Sequence, residues 1–359
     1  MARRGLLHPR PTGPGRYVAL VDSSPRSSGT RQAVIAHHVV HHARSRDGLL
    51  VLSVGSGVVA LVLAVVAAPL YADLPWPQLR VNPGLLAAAA VLSLLGYTFK
   101  AYGWEKLFAA HERPQPLALA AAMGGASVTA LALPGRFDDV VRIAIVRRFR
   151  GCPAGVRALC LSLFMLGLVD AAALAPLALI AAALPGHPLA LRLGLVVVVG
   201  VGLAAGALIV ALPRLTASRR AARFRLGRWV RPRTASLREA FEAWALVSAC
   251  WLTRAVGLCL LFGALGLGFS LTLALVFLCA TGAAAALPIG PGGTATQAGA
   301  GAAALIASGV GVSESVGAAV ASQVLAIVVG ASIFLFATAW RTSLRFTPPY
   351  RPVSAMGSQ

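Results

Sequence analysis

Residues 131–142 read LALPGRFDDVVR, and residues 284–293 read AAALPIGPGG. In both, small apolar residues run into Leu-Pro and then glycine. Only the first break is followed by charge: Arg136, Asp138, Asp139 and Arg142 fall within seven positions. Proline removes a backbone donor and glycine frees the backbone, so a helix entering either stretch ends there. What such an ending means depends on the medium around it.

Composition identifies the medium. The chain has 359 residues, of which 58% are hydrophobic and 12% charged, with a mean hydropathy of +0.78. Soluble domains carry about a quarter charged residues. The stretch 49–71, LLVLSVGSGVVALVLAVVAAPLY, holds no charge at all, and it exceeds the roughly 18 apolar residues that mark a membrane span. Full spans are expected at 49–71, 84–104, 154–184, 189–213, 243–267 and 314–340, with shorter apolar segments at 117–133, 271–287 and 294–310.

The net charge of +21 does not point to nucleic acid, because the arginines cluster between apolar runs. Arg214, Arg219, Arg220, Arg223, Arg225 and Arg228 follow one span. That is the positive-inside pattern of cytoplasmic loops. Each such residue is worth about 1 kcal/mol of attraction to an anionic leaflet. Segment 1–47, loop 214–240 and tail 342–359 are therefore expected in the cytoplasm, beneath the inner (plasma) membrane of a bacterium. Membrane lipids are the expected partners. Segment 1–47 is too long and too arginine-rich for the n-region of a cleaved signal peptide, so span 49–71 reads as a retained anchor.

No metal or cofactor is expected. The five cysteines form no CxxC pair and offer neither a disulfide framework nor a zinc site. His37, His38, His41 and His42 pair on helical faces, but only Asp47 accompanies them. A solvated helix before the membrane fits them better than a metal centre.

Sidedness gives the two breaks their meaning. With the N-terminus inside, 49–71 runs outward and 84–104 returns to the basic stretch Lys100, Lys106, Arg113. Loop 214–240 is inside, so 189–213 runs inward and 154–184 outward. Both ends of 117–133 are then cytoplasmic, and this segment enters, breaks at Pro134-Gly135 and returns. By the same reasoning 271–310 begins and ends outside, breaking at Pro288, Gly290, Pro291, Gly292 and Gly293. The fold class is all-α polytopic membrane protein: about six full transmembrane helices plus two re-entrant helical hairpins, in an inverted repeat. Broken helices at matching places in two halves mark transporter binding sites.

The chemistry is read from charge at these places. On a helix Arg142 shares a face with Asp138 and Asp139, and Arg136 sits beside the break. Guanidinium groups grip phosphate in bidentate fashion, so these four residues form a candidate headgroup site, the aspartates orienting the arginines. A charged cytoplasmic helix explains them equally well. Gly292 and Gly293 lead into Thr294 and Thr296, as a loop feeds a helix N-terminus that attracts anions. Asp170, in LGLVDAAALAP, and Arg254, in CWLTRAVGLC, stand alone inside spans. Such charges cost roughly 2.5–3.5 kcal/mol to insert and are usually paired or functional. Either they pair with each other or Arg254 lines a cavity, and Gln297 is a further candidate for the polar path. HExxH, GxSxG and nucleotide-loop signatures are missing, so turnover chemistry is not expected.

These two breaks resemble the flippase-like transmembrane family, the membrane half of lysylphosphatidylglycerol synthases. The family's Pro-x-Arg-x-Gly-Glu-x-x-Arg stretch appears as Pro134-Gly135-Arg136-Phe137-Asp138-Asp139-Val140-Val141-Arg142. Its Leu-Pro-x-x-Pro-Gly-Gly stretch appears as Leu287-Pro288-Ile289-Gly290-Pro291-Gly292-Gly293. Three positions depart from the pattern. Asp138-Asp139 replaces Gly-Glu, Leu166-Gly167 stands where a Glu-Arg pair often precedes the mid-membrane Asp, and Thr296-Gln297 stands where a glutamate is common. The resemblance covers about 49–340 and lacks the aminoacyl-transferase domain of full synthases. It implies moving or binding an anionic or zwitterionic (glyco)phospholipid, not aminoacylating one. The alternative is a non-transporting scaffold whose basic loops recruit envelope-synthesis enzymes.

Overall fold

A computed structural model describes residues 82–130, 137–149, 152–217, 236–286 and 293–346. The expected first span 49–71, the His37–His42 cluster, Pro134 to Arg136, and Leu287 to Gly292 lie outside the described residues. Every described residue belongs to one compact unit, Val58–Gln359.

The described residues form nine α-helices, one 3-10 turn and no strand. Five helices are long and apolar enough to cross a membrane: α1 (Pro83–Lys106), α4 (Val156–Ala183), α5 (Leu189–Ala217), α6 (Leu237–Ala264) and α9 (Val312–Phe346). Four are too short for the roughly 20 residues a span requires: α2 (Pro116–Thr129), α3 (Phe137–Arg148), α7 (Leu271–Ala286) and α8 (Gly293–Ala307). Large apolar side chains such as Leu189, Val197 and Leu203 on α5 are more than half exposed, which is the outer face of a protein whose solvent is lipid. The chain is a multi-pass membrane protein.

Local chemistry sets the helix ends. The Asn82 side chain accepts from the Gly84 and Leu85 amides at 3.0 and 3.3 Å, and Pro83 opens α1 with a ring already at helical φ. Helix α6 starts at Leu237, six residues before the expected span 243–267. A reciprocal cap explains this: Ser236 Oγ accepts from the Glu239 amide while Glu239 accepts from the Ser236 amide.

The arrangement of the helices repeats. Helices α1 and α6 run antiparallel along each other, with Asn82 N donating to Ala264 O at 3.1 Å at one end and Gly103 against Val247 near the other. Helix α2 packs on α1, α3 and α9, and in the same way α7 packs on α6, α8 and α4. Helix α3 meets α4 as α8 meets α9, and α1 touches α4 and α9 as α6 touches α9 and α4. Every sizeable contact among α1–α4 thus has its counterpart among α6–α9. The matched helices α1 and α6 are antiparallel, as an inverted repeat requires.

Small residues let the helices approach. Gly124 of α2 and Gly330 of α9 meet backbone to backbone; a β-carbon on Gly124 would lie 2.3 Å from the Gly330 carbonyl oxygen. The core contains one aromatic anchor with a polar tip: fully buried Trp104 of α1 donates from Nε1 to Ser162 Oγ of α4 at 3.0 Å. Trp104→Phe is expected to cost about 1–2 kcal/mol, because Ser162 retains its own bond to Leu159 O. Thermal unfolding in detergent measures it.

Candidate functional site

Helix α3 carries the charges that follow the first break. Asp138 and Asp139 lie in its first turn and Arg147 and Arg148 in its last, so both ends complement the helix dipole. Arg142 folds back on the aspartates: Nη2 reaches Asp138 Oδ2 at 2.9 Å and Nη1 reaches Asp139 Oδ1 at 2.8 Å. The expected shared face is present. Both outer nitrogens of Arg142 are thereby engaged, while its buried Nε has no hydrogen-bond partner among the described residues. Arg136 lies outside the described residues. Just beyond α3, the Arg341 guanidinium of α9 stands 5.4 Å from the Phe149 ring.

The short helices form two packed pairs, α2 with α3 and α7 with α8. Gly125 meets Ile145 in the first pair and Gly301 meets Phe277 in the second, in each case on opposite sides of a break. Each pair is therefore a helical hairpin. The hairpins meet where they end: Thr294 Oγ1, in the first turn of α8, donates to the carbonyl of Ala130, the C-cap of α2, at 3.5 Å. A bond that long is weak, and its importance is positional. Gly293 is the first residue of α8, and Gln297, one turn on, is half-buried. Pro134, Gly135, Pro288, Gly290, Pro291 and Gly292, at the breaks themselves, lie outside the described residues.

Of the two expected arrangements, the mutual pair does not form. Asp170 does not pair with Arg254. Its Oδ2 binds Lys100 Nζ at 2.8 Å, and the two side chains are 20% and 23% exposed, so the pair is mostly inside the bundle. Lys100 does not belong to the basic helix end of Lys106 and Arg113. It stands about 9 Å before Lys106 along α1, and its four-carbon stem reaches the middle of α4. The Arg254 guanidinium instead lies 5.5 Å from the Trp251 ring, with Lys100 Nζ 5.7 Å from the same ring, both within cation–π range. Buried Cys250 lies within electrostatic reach of Lys100, Asp170 and Arg254. Three polar atoms there, Asp170 Oδ1, Trp251 Nε1 and Ser248 Oγ, are buried without partners among the described residues.

Where α1 ends and α6 begins, the carboxylates are used for structure. Lys106 Nζ binds Glu242 at 2.8 Å, Arg238 binds Glu242 at 3.1 Å, and Arg113 binds Glu239. The Lys106 and Arg113 bonds fasten the α1–α2 connection to α6, and Arg238 steadies Glu242 from within α6. Among the described residues no three His, Cys, Asp or Glu side chains form a metal-holding group, and all five cysteines are free.

No curated protein and no solved structure matches the chain. The model of one family, the lysylphosphatidylglycerol synthase TM region, matches residues 48–333. That span includes both breaks, both hairpins and the Lys100–Asp170 pair, and it covers most of the chain. The protein therefore belongs to the lysylphosphatidylglycerol synthase transmembrane-region family.

Proposed function

We propose that the protein is a lipid transporter of flippase type, binding an anionic or zwitterionic phospholipid and carrying its headgroup across the inner membrane. The contact between the two hairpin ends, Thr294 to Ala130, supports this best. Two helices that stop inside a bundle, facing each other from inverted halves, leave backbone polar groups where only protein or water can satisfy them. Inverted-repeat transporters put their substrate sites at such places.

In this reading the chain needs no turnover chemistry. Arg142, held by Asp138 and Asp139, receives the phosphate as the lipid approaches from the cytoplasm, and the aspartates suit the cationic part of a zwitterionic headgroup. Both termini are cytoplasmic. The test is proteoliposome transport of a fluorescent phosphatidylglycerol. Arg142→Ala is expected to slow transport about tenfold, the value of a charge-assisted hydrogen bond, with unchanged membrane insertion. Unchanged transport would remove α3 from the path.

One observation favours the alternative, a scaffold recruiting envelope-synthesis enzymes through loop 214–240: Arg142 already has both outer nitrogens on aspartates. A scaffold loses function on deletion of 218–235 and is indifferent to Arg142→Ala.

A further inference from the structure

The charges inside the bundle do not balance. Lys100, Arg254 and Asp170 carry two positive charges and one negative, and only Lys100 has a carboxylate partner. Arg254 has, among the described residues, the Trp251 ring and no ion-pair partner. An uncompensated cation at membrane depth is costly, and such groups persist where they serve a ligand or a pathway. Trp251 is 7% exposed, yet its Nε1, a donor only, meets no acceptor. Ser248 Oγ, one turn before it on α6, is buried and unpartnered too. The group therefore has spare positive charge and spare donors, beside one spare acceptor, Asp170 Oδ1.

Its place in the fold is equally specific. Lys100 is on α1 and Trp251 and Arg254 are on α6, the two helices that the inverted halves exchange. Gly96 of α1 lies against Thr253 and Arg254, so the missing side chain brings the guanidinium close to α1. The Trp251 ring extends across to Gly282 of α7, the first helix of the second hairpin. The charges thus sit between the repeats, beside a hairpin.

We propose that Lys100, Trp251 and Arg254 form an intramembrane site for one singly charged phosphate group, with Asp170 occupying Lys100 until the ligand arrives. A phosphodiester has one negative charge at all physiological pH values, which brings the local sum to zero. It offers two free oxygens, one for the guanidinium fork and one for the ammonium or the indole N–H. Asp170 is an internal competitor: when the phosphate takes Lys100, the carboxylate loses its partner, and when the phosphate leaves, the pair reforms. The ligand is held without becoming a permanent occupant. The inference rests on the lipid-transport reading for the diester's identity as a phospholipid headgroup; inorganic phosphate offers similar oxygens but carries roughly one to two negative charges near neutral pH, and is separated by experiment.

The two charges flanking the site have opposite effects on binding, which a purely structural role would not produce. The test titrates detergent-solubilised full-length protein with dihexanoyl phosphatidylglycerol, inorganic phosphate or dihexanoylglycerol, reading tryptophan fluorescence and thermal shift. Saturable binding of the phosphatidylglycerol and none of the uncharged glyceride is expected. Arg254→Gln should weaken it about tenfold or more, while Arg254→Lys retains part of it. Asp170→Asn should strengthen it severalfold by removing the competitor. Trp251→Phe should abolish the fluorescence change and keep most of the thermal shift. Equal affinity for inorganic phosphate would keep the site and make its ligand the free ion. An unchanged affinity in both Arg254→Gln and Asp170→Asn, or weaker binding in Asp170→Asn, overturns the proposal. Proteoliposome transport separates the two claims: transport without phosphate binding removes this site alone, and charge-dependent binding without transport removes the flippase reading alone.

Discussion

Lys100→Met lowers the stability of the solubilised protein by about 2–3 kcal/mol, and Asp170→Leu alone costs a similar amount. Breaking a buried ion pair costs about 3–5 kcal/mol, because one charge is left in a poor solvent; the partial exposure of both side chains reduces that. The double variant Lys100→Met, Asp170→Leu recovers most of the loss, since no charge is stranded. A thermal-unfolding cycle on the four proteins measures the coupling. Additive losses would mean that the 2.8 Å contact is not an energetic pair.

Gly124→Ala reaches or exceeds the upper end of the roughly 1–3 kcal/mol cost of overpacking. The new β-carbon would lie 2.3 Å from the Gly330 carbonyl oxygen, a backbone atom with no rotamer to change. Helices α2 and α9 must separate, and the first hairpin loses its seat. Gly167→Ala is the control: a β-carbon there meets nothing within 4 Å, and a helical glycine replaced by alanine gains about 0.5–1 kcal/mol. Comparable melting temperatures for the two variants would contradict the close α2–α9 contact.

The features legible in the sequence have short-range causes. Charge-free runs locate the long helices, because a bilayer tolerates little else, and the Leu-Pro-glycine breaks locate the short ones, because a helix cannot continue through them. Arg142 with Asp138 and Asp139 follows from helical spacing alone. The start of α6 was also present, as Ser236 and Glu239 three apart, but the charged first turn resembled the basic loop before it. Lys100 was obscured for a related reason: a lysine near other basic residues reads as a helix end until its distance along α1 is counted. Two features have no local signal. The partner of Asp170 depends on which helix crosses α4 at mid-length, and the matched contacts of the inverted halves exist only in the tertiary arrangement.

The opposed hairpins are the centre of this account, and single-cysteine accessibility tests them most directly. The five native cysteines are replaced by serine, and single cysteines are placed at 139, 187, 290 and 312 for labelling by impermeant maleimide in intact cells and in inverted vesicles. Labelling is expected at 139 from the cytoplasmic side only, and at 187 and 312 from outside only. Position 290 is predicted to label slowly and from outside, along a watery route between the hairpins. Rapid labelling of 290 from the cytoplasmic side, as in an ordinary loop, would make residues 271–310 two conventional spans and contradict the opposed-hairpin arrangement.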